Sequence, residues 1–324
     1  MTRGITGYGI RVPQYHDTAE AYEEAYGRFA ARIDRKAVPA YDEDAVTLAI
    51  GAADDIEVAD VGTLAVATTS HPQDGTLTSG PLARAVGLDG QCRTLEFGTS
   101  WKAGVEALDA ALRFGSSLAV ASDAPHAPFG DDANHGLGAG AAAFAVGGED
   151  PVATAAGSAH YVGAHLPAKF LSEEGVTDLG LGAYTSQGVF EALSEVVTGA
   201  LDDAGLGVDD VDHVVLPQDD VKMSWRAGHR LGFDGDQMGA GFVVKRLGFV
   251  GAATPLIGLA ASLDAADAGE TVLVAGYGYG HGASAHVFET TAVGAETEVG
   301  VEAALESTEE LSFTDYVRYW EVSE

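Results

Sequence analysis

The sequence predicts an α/β protein in five layers, αβαβα, assembled from two pseudo-symmetric halves, and three observations carry that prediction. Short apolar runs ending in Gly or Pro alternate with longer Ala-rich stretches at helical spacing, the pattern of strands feeding helices. The string SSLAVASDAP followed by GAGAAAFAVGG is echoed later by ETVLVAGYGYG followed by ASAHVFETT, each a strand, a glycine-bearing turn and a second strand. The stretch WKAGVEALDAALRFG reads as a helix lined by Ala and Gly on most sides, which marks a helix held between two sheets. The expected division is a first half over 1–150, a second over 151–290, and an acidic linker with an amphipathic helix over 291–324.

Taken in order, apolar runs place strands over 4–10, 63–69, 117–122 and 139–146, with helices over 42–53, 79–86 and 101–114 between them. In the last of these helices Trp101, Val105, Leu108 and Leu112 fall at i, i+4, i+7 and i+11, while Lys102, Glu106, Asp109 and Arg113 require partners or an exposed edge. The second half repeats the order with strands over 152–162, 213–216, 271–277 and 283–290 and helices over 187–204, 222–230 and 252–266. At the end of the chain Phe313, Tyr316, Val317 and Trp320 form one apolar stripe, with Ser312 or Thr314 available as cap. Burying each of those side chains is worth about 1.5–3 kcal/mol, so the segment is expected to dock, on its own chain or on a partner.

Composition bounds the function. Lys and Arg total 17 against 49 Asp and Glu, a formal charge of -32, which disfavours nucleic acid and anionic membranes as partners. The acidity runs along the whole chain and is locally dense in Glu only over 289–310, a distribution that fits solvation in molar salt. The single cysteine, Cys92, excludes an internal disulfide and fits a reducing, high-salt cytoplasm. No secretion-type segment and no run of about 18 apolar residues is present, so a membrane span is not expected. There is no HExxH, no paired cysteines and no i, i+4 histidine pair, and no metal is expected. The turn GYGYGHG lacks GxGxxG spacing and leads into a strand, which rejects a dinucleotide site.

Nine strings in order carry a family resemblance: GITGYGIRVPQY, VPAYDEDAVTLAIGAA, ATTSHP, LEFGTSWKAGVEAL, VASDAPHAP, GAGAAAFAVG, VKMSWRAGHRLGF, GAATPLIGLAASLD and VLVAGYGYGHGASAHVF. Together they span most of residues 1–290, and the chain resembles the archaeal hydroxymethylglutaryl-CoA synthases of the thiolase superfamily. The resemblance implies a thiolase fold, a homodimer, and a cysteine nucleophile at the start of the buried helix, where the positive helix end favours thiolate. That elbow reads Gly98, Thr99, Ser100, Trp101, so Thr99, or alternatively Ser100, holds the nucleophile's place. Cys92 lies upstream of the strand leading into the elbow and reads as a small inert residue. The family histidine falls on Leu216 and Pro217, with His213 too early on its strand; the family asparagine falls on Phe249, and the family acid on Thr69.

A hydroxyl without a neighbouring base is a weak nucleophile, and general acid–base help is worth about 10²–10⁴ in rate. These substitutions point away from ordinary Claisen condensation and toward an accessory, non-catalytic subunit of an acyltransferase complex with a thiolase and a zinc-ribbon/OB-fold protein. The C-terminal helix is similar to the helix that opens such zinc-ribbon proteins. The rival reading is an active acyl-CoA acyltransferase using Thr99 or Ser100, with His71 or His126 as base. His135 and His281 are further loop histidines expected at the same end. By resemblance Lys222 faces the CoA phosphates; Arg226, Arg230, Lys245 and Arg246 join it in one basic window, the expected site for CoA or acyl-CoA.

Overall fold

The structure, a computed structural model, describes residues 3–54, 56–58, 60–73, 75–163, 168–172, 175–180, 182–219, 221–280, 282–292 and 300–323. The first half runs β1 (Gly4–Arg11), β2 (Tyr15–Thr18), α1 (Ala19–Tyr26), β3 (Arg35–Val38), α2 (Ala45–Ala53), β4 (Thr63–Ala67), α3 (Ser79–Ala85), β5 (Arg93–Phe97), α4 (Ala103–Phe114), β6 (Ser117–Asp123) and β7 (Gly140–Gly147). The second runs β8 (Ala153–Val162), β9 (Lys169–Ser172), β10 (Gly175–Asp178), α5 (Gly182–Ala204), β11 (His213–Val215), α6 (Val221–Leu231), α7 (Gly235–Gly239), α8 (Val244–Leu247), α9 (Thr254–Ala265), β12 (Thr271–Gly278) and β13 (Gly282–Thr290). The tail adds α10 (Val301–Glu306), β14 (Glu309–Glu310) and α11 (Phe313–Ser323).

Among the described residues the strands form one hydrogen-bonded order, β11-β12-β13-β8-β1-β7-β6-β4-β5. Each half contributes the same sequence of pairings, parallel then antiparallel toward its first strand, but among the described residues the second half has no counterpart of the outer strand β5. β1 pairs with β7 along its length and with β8 at Gly4 and Ile5, so the two sheets are continuous at one corner.

Helices α4 and α9 lie between the sheets, α2 covers the far face of the first and α5 the far face of the second, giving the five expected layers. The middle layer is tight: a Cβ at Gly104 of α4 would sit 2.1 Å from the carbonyl oxygen of Ala252, so only glycine permits this approach. Val105, Leu108, Leu256 and Leu259 fill the space around it, all fully buried. The charged stripe of α4 finds both expected solutions. Lys102 pairs with Glu106 at 2.6 Å, Arg113 with Asp109 at 2.6 Å, and His160 and His286 approach Asp109 from β8 and β13.

Element limits differ where caps decide them. Asp44 accepts from the amides of Val46 and Thr47, so α2 begins at Ala45 and not at 42. The helix expected from 187 begins earlier, at Gly182. The C-terminal helix starts at Phe313 behind Ser312, whose hydroxyl accepts from the Asp315 amide at 3.2 Å. It packs on its own chain: Phe313 meets Tyr22 and Tyr26 at 5.0 and 5.4 Å, and Tyr316 meets Phe129 at 5.3 Å. β14 ties the tail down by pairing with β2. The Trp320 side chain of the expected stripe lies outside the described residues.

Beneath Tyr316 lies Lys36, only 1% exposed on β3. Its ammonium donates to the Asn134 carbonyl at 2.7 Å and sits 4.8 Å from the Tyr22 ring centre and 5.1 Å from that of Tyr316. Burial pushes the Lys36 pKa down and that of Asp17 up, each partly offset by the charge of the other. His135, expected on a loop near the site, is instead buried in this core, 4.6 Å from the Tyr22 ring, with Nδ1 accepting from the Ala30 amide.

Candidate functional site

Strand β5 delivers the chain into the elbow, and the turn between Phe97 and Ala103 orients Thr99, Ser100 and Trp101 differently. Thr99 is exposed and takes φ = +62°, a left-handed conformation that costs a β-branched residue energy. Ser100 is half-buried, its Oγ accepting from the Lys102 amide at 3.4 Å. It lies so close to β12 that a Cβ at Gly278 would be 2.2 Å from Oγ. Trp101 turns inward and is buried.

Trp101 meets the second half through its ring. Its ring stands edge-on to Phe249 at 5.1 Å and to Tyr279 at 5.5 Å. Tyr279 is itself pinned, its hydroxyl donating to Asp219 at 2.7 Å, and Asp219 also pairs with Lys169 at 2.9 Å. Ile33, Ala127, Leu137, Val176 and Val244 close the cluster. An aromatic septum therefore occupies the place where the first turn of α4 faces the segment before α9.

Two cavities lie near this septum. The first, of about 530 Å³, is lined by Thr69, Ser70, His71, His126, Leu171 and the tail residues Tyr316 and Tyr319, among others. His71 Nδ1 lies 3.0 Å from the Thr78 hydroxyl, and its Nε2 abuts Gly98, where a Cβ would be 3.3 Å away. His126 holds β10 through its carbonyl, which accepts from the Val176 amide at 2.8 Å. The structure thus brings both candidate bases to one cavity beside the elbow. Among the described residues neither the Thr99 nor the Ser100 hydroxyl is hydrogen-bonded to an imidazole.

Thr69 and Ser70 are committed elsewhere. Both hydroxyls donate to Asp123, at 2.7 and 2.6 Å, and the carboxylate also accepts from the Thr69 amide, the Thr68 hydroxyl and the Ala252 amide of the second half. Burial raises the Asp123 pKa, while these bonds, that from Ser70 foremost, pull it back. No local signal in ASDAP marks this role, because its partners come from two distant turns.

The second cavity, of about 430 Å³, is lined by Arg32, Ile33, Asp178, Gln218, Asp219, Val221, Val244 and Phe249, among others. Gln218 is a buried residue of its wall, donating to the Gly241 carbonyl at 2.7 Å and accepting from the Val244 amide at 3.1 Å. Helix α6 starts in the cavity wall at Val221 and exposes Lys222, Arg226 and Arg230, the last stacked 5.0 Å from the Phe190 ring centre. The basic window is split by the fold. Lys245 is exposed on α8, and Arg246 turns to Glu302, to which it donates at 2.9 Å. Arg246 borders a separate groove of about 300 Å³ against α10.

The remaining candidates stand apart. His213 Nε2 lies 3.1 Å from Glu270 at the edge of the second sheet. Cys92 is half-buried, and burial pushes its thiol pKa up, away from reactivity. Leu216 is buried, and His281 lies outside the described residues. Among the described residues no group of histidines, cysteines and carboxylates could hold a metal, and no helix is long and apolar enough to cross a membrane.

Residues 201–290 match the family model of the 3-oxoacyl-[acyl-carrier-protein (ACP)] synthase III C terminal. The chain is similar to hydroxymethylglutaryl-CoA synthase of Methanothermobacter thermautotrophicus, 27% identical with 98% of this chain and 96% of that protein covered. It is 30% identical to hydroxymethylglutaryl-CoA synthase of Pyrococcus horikoshii, covering 87% of this chain and 85% of that one. In fold it resembles a crystal structure of HMG-CoA synthase complexed with CoA, with a TM-score of 0.84 at 17% identity over 98% of this chain and 90% of the other.

Proposed function

Because the chain belongs to the hydroxymethylglutaryl-CoA synthase family of the thiolase superfamily, we propose that it is a non-catalytic member, an accessory CoA-binding subunit of an acyltransferase complex. The observation that carries this reading is the aromatic septum. Trp101 packs against Phe249, the residue at the family asparagine position, with Tyr279 behind, where a thioester would need a nucleophile and a proton acceptor. Leu216 and Pro217 stand where resemblance expects a histidine, and Thr69 gives its hydroxyl hydrogen to Asp123 instead of serving as an acid. CoA binding is supported by the cavity at Gln218 and Phe249, by Lys222 and Arg226 exposed on the helix that begins in its wall, and by the CoA-bound relative of the same fold. The subunit works as a homodimer in a high-salt cytoplasm beside a cysteine-bearing thiolase and a zinc-ribbon/OB-fold protein.

One observation favours a second reading, an active acyltransferase. The left-handed backbone at Thr99 is strain of the kind that collects at reactive turns, and His71 and His126 line the neighbouring cavity. Replacing Thr99 and Ser100 together by Ala separates the two. In the assembly recovered by affinity purification from high-salt lysate, the accessory role predicts turnover unchanged by the double substitution and none from the chain alone. Loss of turnover, or an acyl adduct on Thr99 or Ser100 by mass spectrometry, would overturn it.

A further inference from the structure

We infer that the cavity at Gln218 and Phe249 takes the free thiol form of CoA and rejects its acyl thioesters, with Trp101 and Phe249 as the specificity-determining side chains. This rests on the reading of that cavity as the CoA site. The pantetheine arm is uncharged, which suits a passage bordered by Arg32 and by Asp131, Asp132, Asp178 and Asp219, of which Asp132 is paired with Arg28 and the last two with Lys169. The phosphates stay outside, toward Lys222 and Arg226.

At the inner end the arm meets Phe249, and an acyl group on its sulfur would need the volume behind that ring. Trp101 fills it. The indole is fixed by two edge-on contacts at 86° and 87°, and the Tyr279 side of the clamp is anchored through Asp219, so the ring cannot swing aside without breaking a packed cluster. Forcing extra atoms into such packing is costly even for one or two methylene groups. The Gln218 amide in the cavity wall does not compensate, because it is turned to the backbone at Gly241 and Val244. A free thiol, smaller and only weakly polar, asks for neither room nor donors.

Isothermal titration of the full chain in molar KCl with CoA, S-methyl-CoA and acetyl-CoA tests this. CoA is expected to bind, acetyl-CoA at least about tenfold more weakly, and S-methyl-CoA in between. Trp101→Leu and Phe249→Leu, each first shown to be folded by circular dichroism, are expected to narrow the tenfold gap to about threefold or less. Equal wild-type affinity for CoA and acetyl-CoA would overturn the inference and leave the CoA reading standing. A wild-type gap that persists undiminished in both folded variants would overturn the assignment to these two rings. Failure of CoA itself to bind would remove the CoA reading and the inference with it. If neither variant folds, the wild-type series decides: an S-methyl-CoA affinity equal to that of CoA overturns the plug.

Discussion

Asp123 is the residue on which the site's architecture converges, accepting from Thr68, Thr69 and Ser70 on one side and from Ala252 on the other while fully buried. Removing a buried acceptor strands its donors at about 1–3 kcal/mol each, so Asp123→Ala is expected to lower the urea midpoint with unchanged slope. Asn, which keeps one acceptor oxygen, should recover part of that loss. The candidate site was legible only in part for the same reason. Thr99, Ser100 and Lys222 stand in strings with a family pattern, which is what singled them out as candidates. Trp101 read simply as one position of an apolar helix stripe, because its ring contacts are with Phe249 and Tyr279, which reach it from another half of the chain.

The tail helix α11 is the element whose docking is most specific. Tyr316 is buried against Phe129 and caps Lys36, so Tyr316→Ala is expected to destabilise the tail by about 3–5 kcal/mol, seen as faster amide exchange across 309–319. The buried pair below it sets a pH dependence. Between the lowered folded pKa of Lys36 and the ordinary lysine range, the unfolded chain holds the extra proton, so stability rises with pH there. Between the ordinary carboxylate range and the raised folded pKa of Asp17, the folded chain holds it, so stability falls as pH rises. A denaturation series is expected to show a minimum between those windows, and Lys36→Met should abolish the alkaline rise. Such elements also mark the limit of sequence reading. The long periodic helices and the alanine- and valine-rich strands were legible, but β2 reads YHDT and β3 RKAV, strands that bury His16, Asp17 and Lys36 under α11 and so break the alternation that betrays a strand. α1, AEAYEEAY, buries Tyr22 within an otherwise polar sequence and was missed on the same ground.

For the molecule as a whole, a formal charge of -32 on a folded body of this size is self-repulsive, and the Debye length falls from about 8 Å at physiological salt to about 3 Å at 1 M. Thermal midpoints are expected to rise by several degrees between 0.1 and 2 M KCl, which differential scanning fluorimetry would check; a flat response would count against adaptation to salt. The two halves that carry this charge repeat one another in strand order, yet they no longer form separable units. β1 is stitched to both β7 and β8, and the second half's Ala252 amide is bound by a carboxylate of the first. A gene divided between β7 and β8 would strip Asp123 of its Ala252 donor in one fragment and leave a raw sheet margin in the other. The repeated pairing pattern therefore survives in a molecule whose halves each complete the other's hydrogen bonds.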